Sequence, residues 1–433
     1  MARTLLLFLV STISTNTMAQ QRTNPAIETG ANRIEQQCIS WRQTLHAYPE
    51  LGNRETNTAR FIAAQLRASG LEVQEGIAHT GVVAILRGGK PGAVVGLRAD
   101  MDALPVTERT PVPFASKART NYNGQEVGVM HACGHDSHVA MLLAVAHVLS
   151  GIKKELPGTV KFIFQPAEEG APAGEEGGAA LMIKEGVLEN PKVDALFGLH
   201  INAQTPAGTI KYRPEGMMAA ADWFHITIKG KQSHGAQPWM GIDPVVIGAQ
   251  IINGLQTIVS RQSELTKNAV VISTTMVQAG VRENIIPEQV TLSGTIRTLD
   301  KEMQQDVLQR VVRTAEHIAE ASGATATVTF EHKTLVTYND PKLTEQMLPS
   351  LRKASGDVQL MEAVTGAEDF SFFNEKVPSL FFYVGGMTPG TDPKTTAAHH
   401  TPDFFIDETG FKTGIKAFAY LVTDYLQQAA RGR

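Results

Sequence analysis

The sequence predicts an α/β protein of two units, the larger built on short buried strands and the smaller set into it as a separate α+β unit. Three observations predict this. Short apolar runs alternate with helical segments through the first half of the chain. From about residue 215 the order changes to strand, helix, strand, strand, helix, strand, and after about residue 333 the texture of the first half returns. A chain of 433 residues, 42% hydrophobic and 19% charged, is also long for one core, so two domains are expected.

Taken in order, residues 1–19 have the make-up of a secretory signal: Arg3, the apolar run Leu5-Leu6-Leu7-Phe8-Leu9-Val10, and Thr17-Met18-Ala19 as a small-residue cleavage site. That run is too short to span a bilayer, and no later stretch has the length and apolarity of a membrane helix. Export to the periplasm or medium is the expectation, with no membrane partner. The larger unit then occupies 20–214. Ile34 to Ser69 carries helical apolar spacing broken at Pro49-Glu50-Leu51-Gly52, which predicts two helices. Val82 to Leu86 and Ala93 to Arg98 are strand-like, the second leading into Asp100-Met101-Asp102. Val139 to Leu149 is apolar all round, which predicts a buried helix with Ser137 as its cap. Val160 to Phe164 and Ala195 to Leu199 are buried strands ending at Gln165-Pro166-Ala167-Glu168-Glu169-Gly170 and at His200.

Residues 215–333 form the smaller unit. Asp222 to Lys229, Ala269 to Gln278, Gln289 to Arg297 and Ala324 to Glu331 are its strands, and Asp243 to Arg261 and Lys301 to Ala321 its helices. This βαββαβ order predicts a ferredoxin-like sheet with both helices on one face. Residues 334–433 complete the larger unit, with Leu380 to Val384 as a buried strand and a closing helix from Gly410 to about Gln428.

The chemistry concentrates at His131-Ala132-Cys133-Gly134-His135-Asp136, with His138 close behind. A thiol, imidazoles and a carboxylate so close together suit a divalent transition metal. One short segment does not easily surround an ion, so partners are expected from Glu168-Glu169, His200 and His399-His400. Adjacent carboxylates at a strand end suggest separate tasks, one binding a cation and one handling protons. Asp100 and Asp102 share a side of an extended chain, so one can approach the metals while the other orients a histidine. His138 is expected to support the site rather than to bind metal. Cys38 and Cys133 are the only cysteines, and an oxidising compartment would let them pair. The neighbours of Cys133 are ligand types, however, and a metal-bound thiolate is expected instead.

The net charge of −4 and the lack of a basic tract exclude a polyanion partner such as nucleic acid. Gly174-Glu175-Glu176-Gly177-Gly178 lacks the Lys-Ser/Thr of a phosphate loop. The residues therefore suggest metal-assisted hydrolysis of a small molecule, with Glu168 free to take a proton from the attacking water. Two rivals share these residues. Cys133 could act as a nucleophile with a histidine partner, and the pocket could bind without reacting.

Gly96 to Pro105, the His-Ala-Cys-Gly-His-Asp cluster, Gln165 to Gly170, Gly198-Leu199-His200, Ser233-His234-Gly235-Ala236 and Gly366-Ala367-Glu368-Asp369-Phe370 together resemble the M20 metallopeptidases. The resemblance is to the amidohydrolase branch, which includes hippurate, N-acyl-amino-acid and auxin-conjugate hydrolases. It covers nearly the whole chain after the leader. It implies a zinc-peptidase-like mixed-sheet catalytic domain and two divalent ions, zinc, manganese or cobalt, on Cys133, His135, Glu169, His200 and a late histidine. The Pro two residues after it selects His400 over His399. It also implies Glu168 as general base and acid, and His234 as an oxyanion donor, commonly from a partner subunit docked through the inserted domain. Asn284 and Arg297 would lie near the substrate's carboxylate. The expected substrate is an N-acyl amino acid, with a dipeptidase or carboxypeptidase as the alternative.

Overall fold

A computed structural model describes residues 23–432, so the Met1–Ala19 segment lies outside the described residues. The larger sheet has eight strands in the spatial order Glu72–Ile77, Gly81–Arg87, Pro157–Gln165, Lys90–Asp100, Ala195–Pro206, Ser379–Met387, Thr209–Tyr212 and Asp357–Leu360. The four central strands, Pro157–Gln165 to Ser379–Met387, run parallel, and antiparallel pairings join Gly81–Arg87 and Thr209–Tyr212 to them. Helices cover both faces. The helices Pro25–Ala47, Thr56–Ala68, His135–Gly151, Pro341–Ala354 and Phe411–Arg431 seal the larger core on one side. Gly178–Lys184 and Ser371–Asn374 seal a second core, around Ile163, Leu196, Phe370 and Phe381, on the other. Burial on both faces explains why these strands read as unbroken apolar runs instead of alternating.

The helix His135–Gly151 is buried along nearly its whole length, as its composition requires. Its start differs from expectation. Ser137 does not cap it; the turn is made by Gly134 in the left-handed region at φ 92°, and Ser137 Oγ donates back to the Gly134 carbonyl at 2.5 Å. A side chain at Gly134 would also meet Ile201 Cγ2 at 2.4 Å, so glycine is required twice over.

The second sheet is antiparallel, in the order Val270–Ala279, Gln289–Thr298, Ala220–Lys229 and Thr325–Thr334, with the helices Pro244–Thr257 and Lys301–Ala321 on one face. Asp243 and Asp300 cap those helices, their side chains accepting from Val245 and Met303 amides. The first of the two ends at Thr257 in a wider turn, Ile258–Gln262, which the apolar spacing does not distinguish from continuing helix. The last strand runs on to Thr334, three residues past the alternating run, and this extension carries His332 and Lys333 to the edge of a cleft. Among the described residues, no helix is long and apolar enough to cross a membrane.

Candidate metal centre

Open parallel sheets leave a crevice at the carboxyl ends of their strands, and this one fills it with ligating groups. Asp100 and Gln165 end two adjacent strands. His200 lies within the strand Ala195–Pro206 rather than past its end, but pairing with Lys90–Asp100 stops at Gly198, so His200 stands where the sheet opens. His400 comes from the loop after Ser379–Met387 and has φ 64°; its amide donates to the Ala132 carbonyl at 2.8 Å, tying that loop to the cysteine segment.

The side chains converge on Cys133. Its Sγ lies 3.4 Å from His200 Nε2 and 3.2 Å from His400 Nε2, and His400 Nε2 lies 3.1 Å from Glu169 Oε1. Cys133, His135 and His200 have ligand atoms within 4.8 Å of one another, as do Cys133, Glu169 and His400. His135 is aimed by Asp102: its Nδ1 donates to the Asp102 carbonyl at 2.9 Å, with Asp102 Oδ1 at 3.2 Å, while Asp102 Oδ2 accepts from the Glu169 amide at 2.9 Å. One carboxylate thus fixes two of the candidate ligands, the usual work of a group behind a metal site.

The site passes two tests for a cation. His135 Nε2 is buried without a hydrogen bond, and Glu169 Oε1 is buried with the His400 imidazole at 3.1 Å, an arrangement a protein interior rarely leaves unless something else binds there. Burial, then Glu169, Glu168 and Asp100, push the Cys133 thiol well above its usual range. Burial works to lower His135, but Asp100, Asp102 and Glu169 outweigh it and lift it to about 10. These groups compete for protons because their own charges leave an excess of anion, and a divalent ion relieves that excess directly.

Asp100, His135 and His138 also bring ligand atoms within 4.8 Å of one another, but Asp100 and His138 are already engaged. His138 Nδ1 donates to Asp100 Oδ1 at 2.5 Å and its Nε2 accepts from the Ile201 amide at 2.8 Å, so both nitrogens are engaged. Asp100 Oδ2 is held by Arg98 Nη1 at 2.5 Å. His399 Nε2 accepts from the Ala203 amide at 3.1 Å and its Nδ1 stands 3.8 Å from Cys133 Sγ, which makes it a poorer donor than His400. Cys38 and Cys133 are both free and buried.

Glu168 lies beside this group, its Oε2 3.8 Å from His135 Nε2 and its Oε1 receiving the Asp369 amide at 3.4 Å. Burial, then Glu368, Glu169, Asp369 and Asp100, raise its pKa well above the usual carboxylate range. Beneath it is a network in which the sequence reading gives a role to Asp100 alone. Arg98 is fully buried and binds Gln165 Oε1 through Nε, Asp100 through Nη1, and both Glu368 Oε1 and Asp369 Oδ1 at 2.9 Å through Nη2. Glu55 adds a further tie, its Oε1 accepting from the Ala167 amide at 2.9 Å where φ 50° turns the chain toward Glu168. An arginine inside an apolar strand was the signal available for this network; Glu55 carried none.

Cys133, Glu168, Glu169, His200 and His400 line a cleft of about 890 Å³ whose other wall comes from the four-stranded sheet and includes Trp223, Arg297, His332 and Lys333. Arg297 is therefore brought to the site. His234 and Asn284 are not: they sit beside each other, where the Gly235 amide donates to the Asn284 carbonyl at 2.8 Å, and neither lines this cleft. His234 is exposed, with Nδ1 accepting from the Ala236 amide at 3.0 Å.

Residues 96–424 match the model of peptidase family M20/M25/M40. The chain is 40% identical to thermostable carboxypeptidase 1 of Saccharolobus solfataricus, over 92% of this chain and 98% of that protein. It is 40% identical to the N-acyl-L-amino acid amidohydrolase of Geobacillus stearothermophilus, over 72% of this chain and 80% of that one. Among solved structures, the Bacillus subtilis YXEP protein, described as a dinuclear metal binding peptidase from the M20 family, superposes with a TM-score of 0.77 at 35% identity, over 92% of this chain and 99% of that one.

Proposed function

The chain belongs to peptidase family M20/M25/M40, and from that premise we propose that it hydrolyses the amide bond of N-acyl amino acids, with Glu168 carrying the proton. Cys133, His135, Glu169, His200 and His400 would hold two divalent ions, zinc, cobalt or manganese, which when bound supply the Lewis acidity that polarises the carbonyl and acidifies water. Glu168 takes a proton from the attacking water as the new C–O bond forms. It returns that proton to the amide nitrogen as the C–N bond breaks, releasing a carboxylic acid and an amine. Asp102 keeps His135 and Glu169 in place meanwhile, and His138 holds Asp100 against the sheet. The observation that carries this proposal is the buried His135 Nε2, without a hydrogen bond, converging with the ligand atoms of Cys133, Glu169, His200 and His400 beside a carboxyl group of raised proton affinity.

Residues 215–333 are read as an inserted unit that also makes a homodimer contact, and His234 as a donor to the site of a second copy. Its exposure away from its own cleft supports this. Export, to periplasm or medium, is proposed from the Met1–Ala19 segment alone.

A carboxypeptidase or dipeptidase activity on the same site is the alternative, favoured by the 40% identity to thermostable carboxypeptidase 1. A panel of N-acetyl, N-benzoyl and indole-acyl amino acids beside dipeptides and longer peptides, followed by amine release, separates the two. The proposal expects kcat/KM for the best acyl amino acid to exceed that for any peptide by about tenfold or more. Peptides turned over faster than every acyl amino acid would establish the alternative.

A further inference from the structure

The cleft wall contributed by the four-stranded sheet carries a second set of polar groups, away from the metal ligands. Asp222 is fully buried in that sheet, and a carboxylate is an expensive group to place there unless both of its oxygens are engaged. They are. Oδ2 accepts from Gln304 Nε2 at 2.7 Å and Oδ1 from His332 Nδ1 at 2.5 Å. Asp222 and His332 are cross-strand partners, and a register shift follows immediately between Ala221 and Asp222, so the bulge sets the histidine at the cleft edge. The His332 side chain is 57% exposed and lines the cleft, and its Nε2 has no hydrogen-bond partner among the described residues.

Two other cations share the wall. Lys333 is committed elsewhere: its Nζ lies 4.0 Å from the centre of the Trp223 ring and 2.9 Å from Glu331. Arg297 is not, because its Nη1 is buried with no hydrogen-bond partner while the residue lines the same cleft. The wall therefore presents an unsatisfied guanidinium and, when the His332 ring carries both protons opposite the Asp222 carboxylate, an Nε2–H, which together suit a small planar anion. A substrate whose scissile amide lies at the metal side has such an anion one carbon away from the amide nitrogen.

On the amidohydrolase reading above, we infer that His332, positioned by Asp222, is a specificity-determining residue that with Arg297 holds the free carboxylate of the N-acyl amino acid. His332 touches the substrate and Asp222 acts only through it. The test compares an N-acetyl amino acid with its own primary amide, which lacks the carboxylate charge, by acetate release from wild type, His332→Ala and Asp222→Asn, with melting temperatures recorded. In His332→Ala the acid-to-amide ratio of kcat/KM is expected to fall about tenfold, the order lost with one charged hydrogen bond, and the loss to lie in KM rather than kcat. Asp222→Asn should shift the ratio in the same direction by less. If the buried Asp222→Asn variant does not fold, the exposed His332→Ala variant decides alone. An unchanged ratio in His332→Ala, or equal losses for acid and amide, overturns the assignment while leaving the amidohydrolase reading intact. A wild type that turns over neither compound overturns both.

Discussion

Glu168→Gln should lower kcat by about 10³-fold, within the range general acid–base catalysis contributes, with KM and metal content nearly unchanged. The amide is isosteric with the carboxyl group and can still accept the Asp369 amide, so the local structure has no reason to collapse. What it lacks is a site for the travelling proton. Burial and four surrounding carboxylates raise the proton affinity of Glu168, the direction a group needs if it is to hold a proton between two steps near neutral pH. Steady-state kinetics with metal analysis on the same preparation checks this. A loss of metal in step with activity would make Glu168 a ligand instead of the proton carrier.

Arg98→Met should be the most damaging change to stability, about 3–5 kcal/mol at pH 7, because it removes the cation from a fully buried set of carboxylates. Asp100, Glu368 and Asp369 would be left to repel one another, and Asp369, lifted to about 7 by burial even with Arg98 present, would rise further. The pH dependence has a definite sign. Carboxyls whose folded pKa lies above the unfolded value bind protons more readily in the native state, so native stability recovers as pH falls through the folded pKa. The gap between variant and wild type should therefore narrow between pH 7 and pH 5. Denaturant unfolding at both values measures it, and a gap that is small or constant would mean that Arg98 is not the counter-charge of this cluster.

Much of this architecture was legible because it is local. Apolar runs with Gly, Pro and acidic residues at their ends mark strands that stop at a crevice, and the βαββαβ order of 220–334 needs only the two periodicities and the turns. The Cys133, His135 and Glu168-Glu169 groups were legible for the same reason, since ligand types crowd together in sequence before they crowd together in space. Spacing suggested that His138 supports the site and left open which of Asp100 and Asp102 orients a histidine; in the structure Asp102 contacts His135 and Asp100 contacts His138.

What was not legible depends on pairings between distant segments. Asp222 and His332 are 110 residues apart and meet only through strand register. Arg98 and Glu368 are 270 apart, and neither sequence context hints at the other. The cap of the central helix misled for a different physical reason. Ser137 has the right chemistry, but Gly134 can adopt a left-handed turn that starts the helix three residues earlier and brings His135 inside it.

The most direct test of the account is to strip the protein of metal, follow hydrolysis of an N-acyl amino acid, and add zinc, cobalt or manganese back by titration. No turnover is expected without metal, and activity should rise until a second equivalent has bound. Turnover that survives complete removal of metal would contradict it and leave Cys133 as the nucleophile.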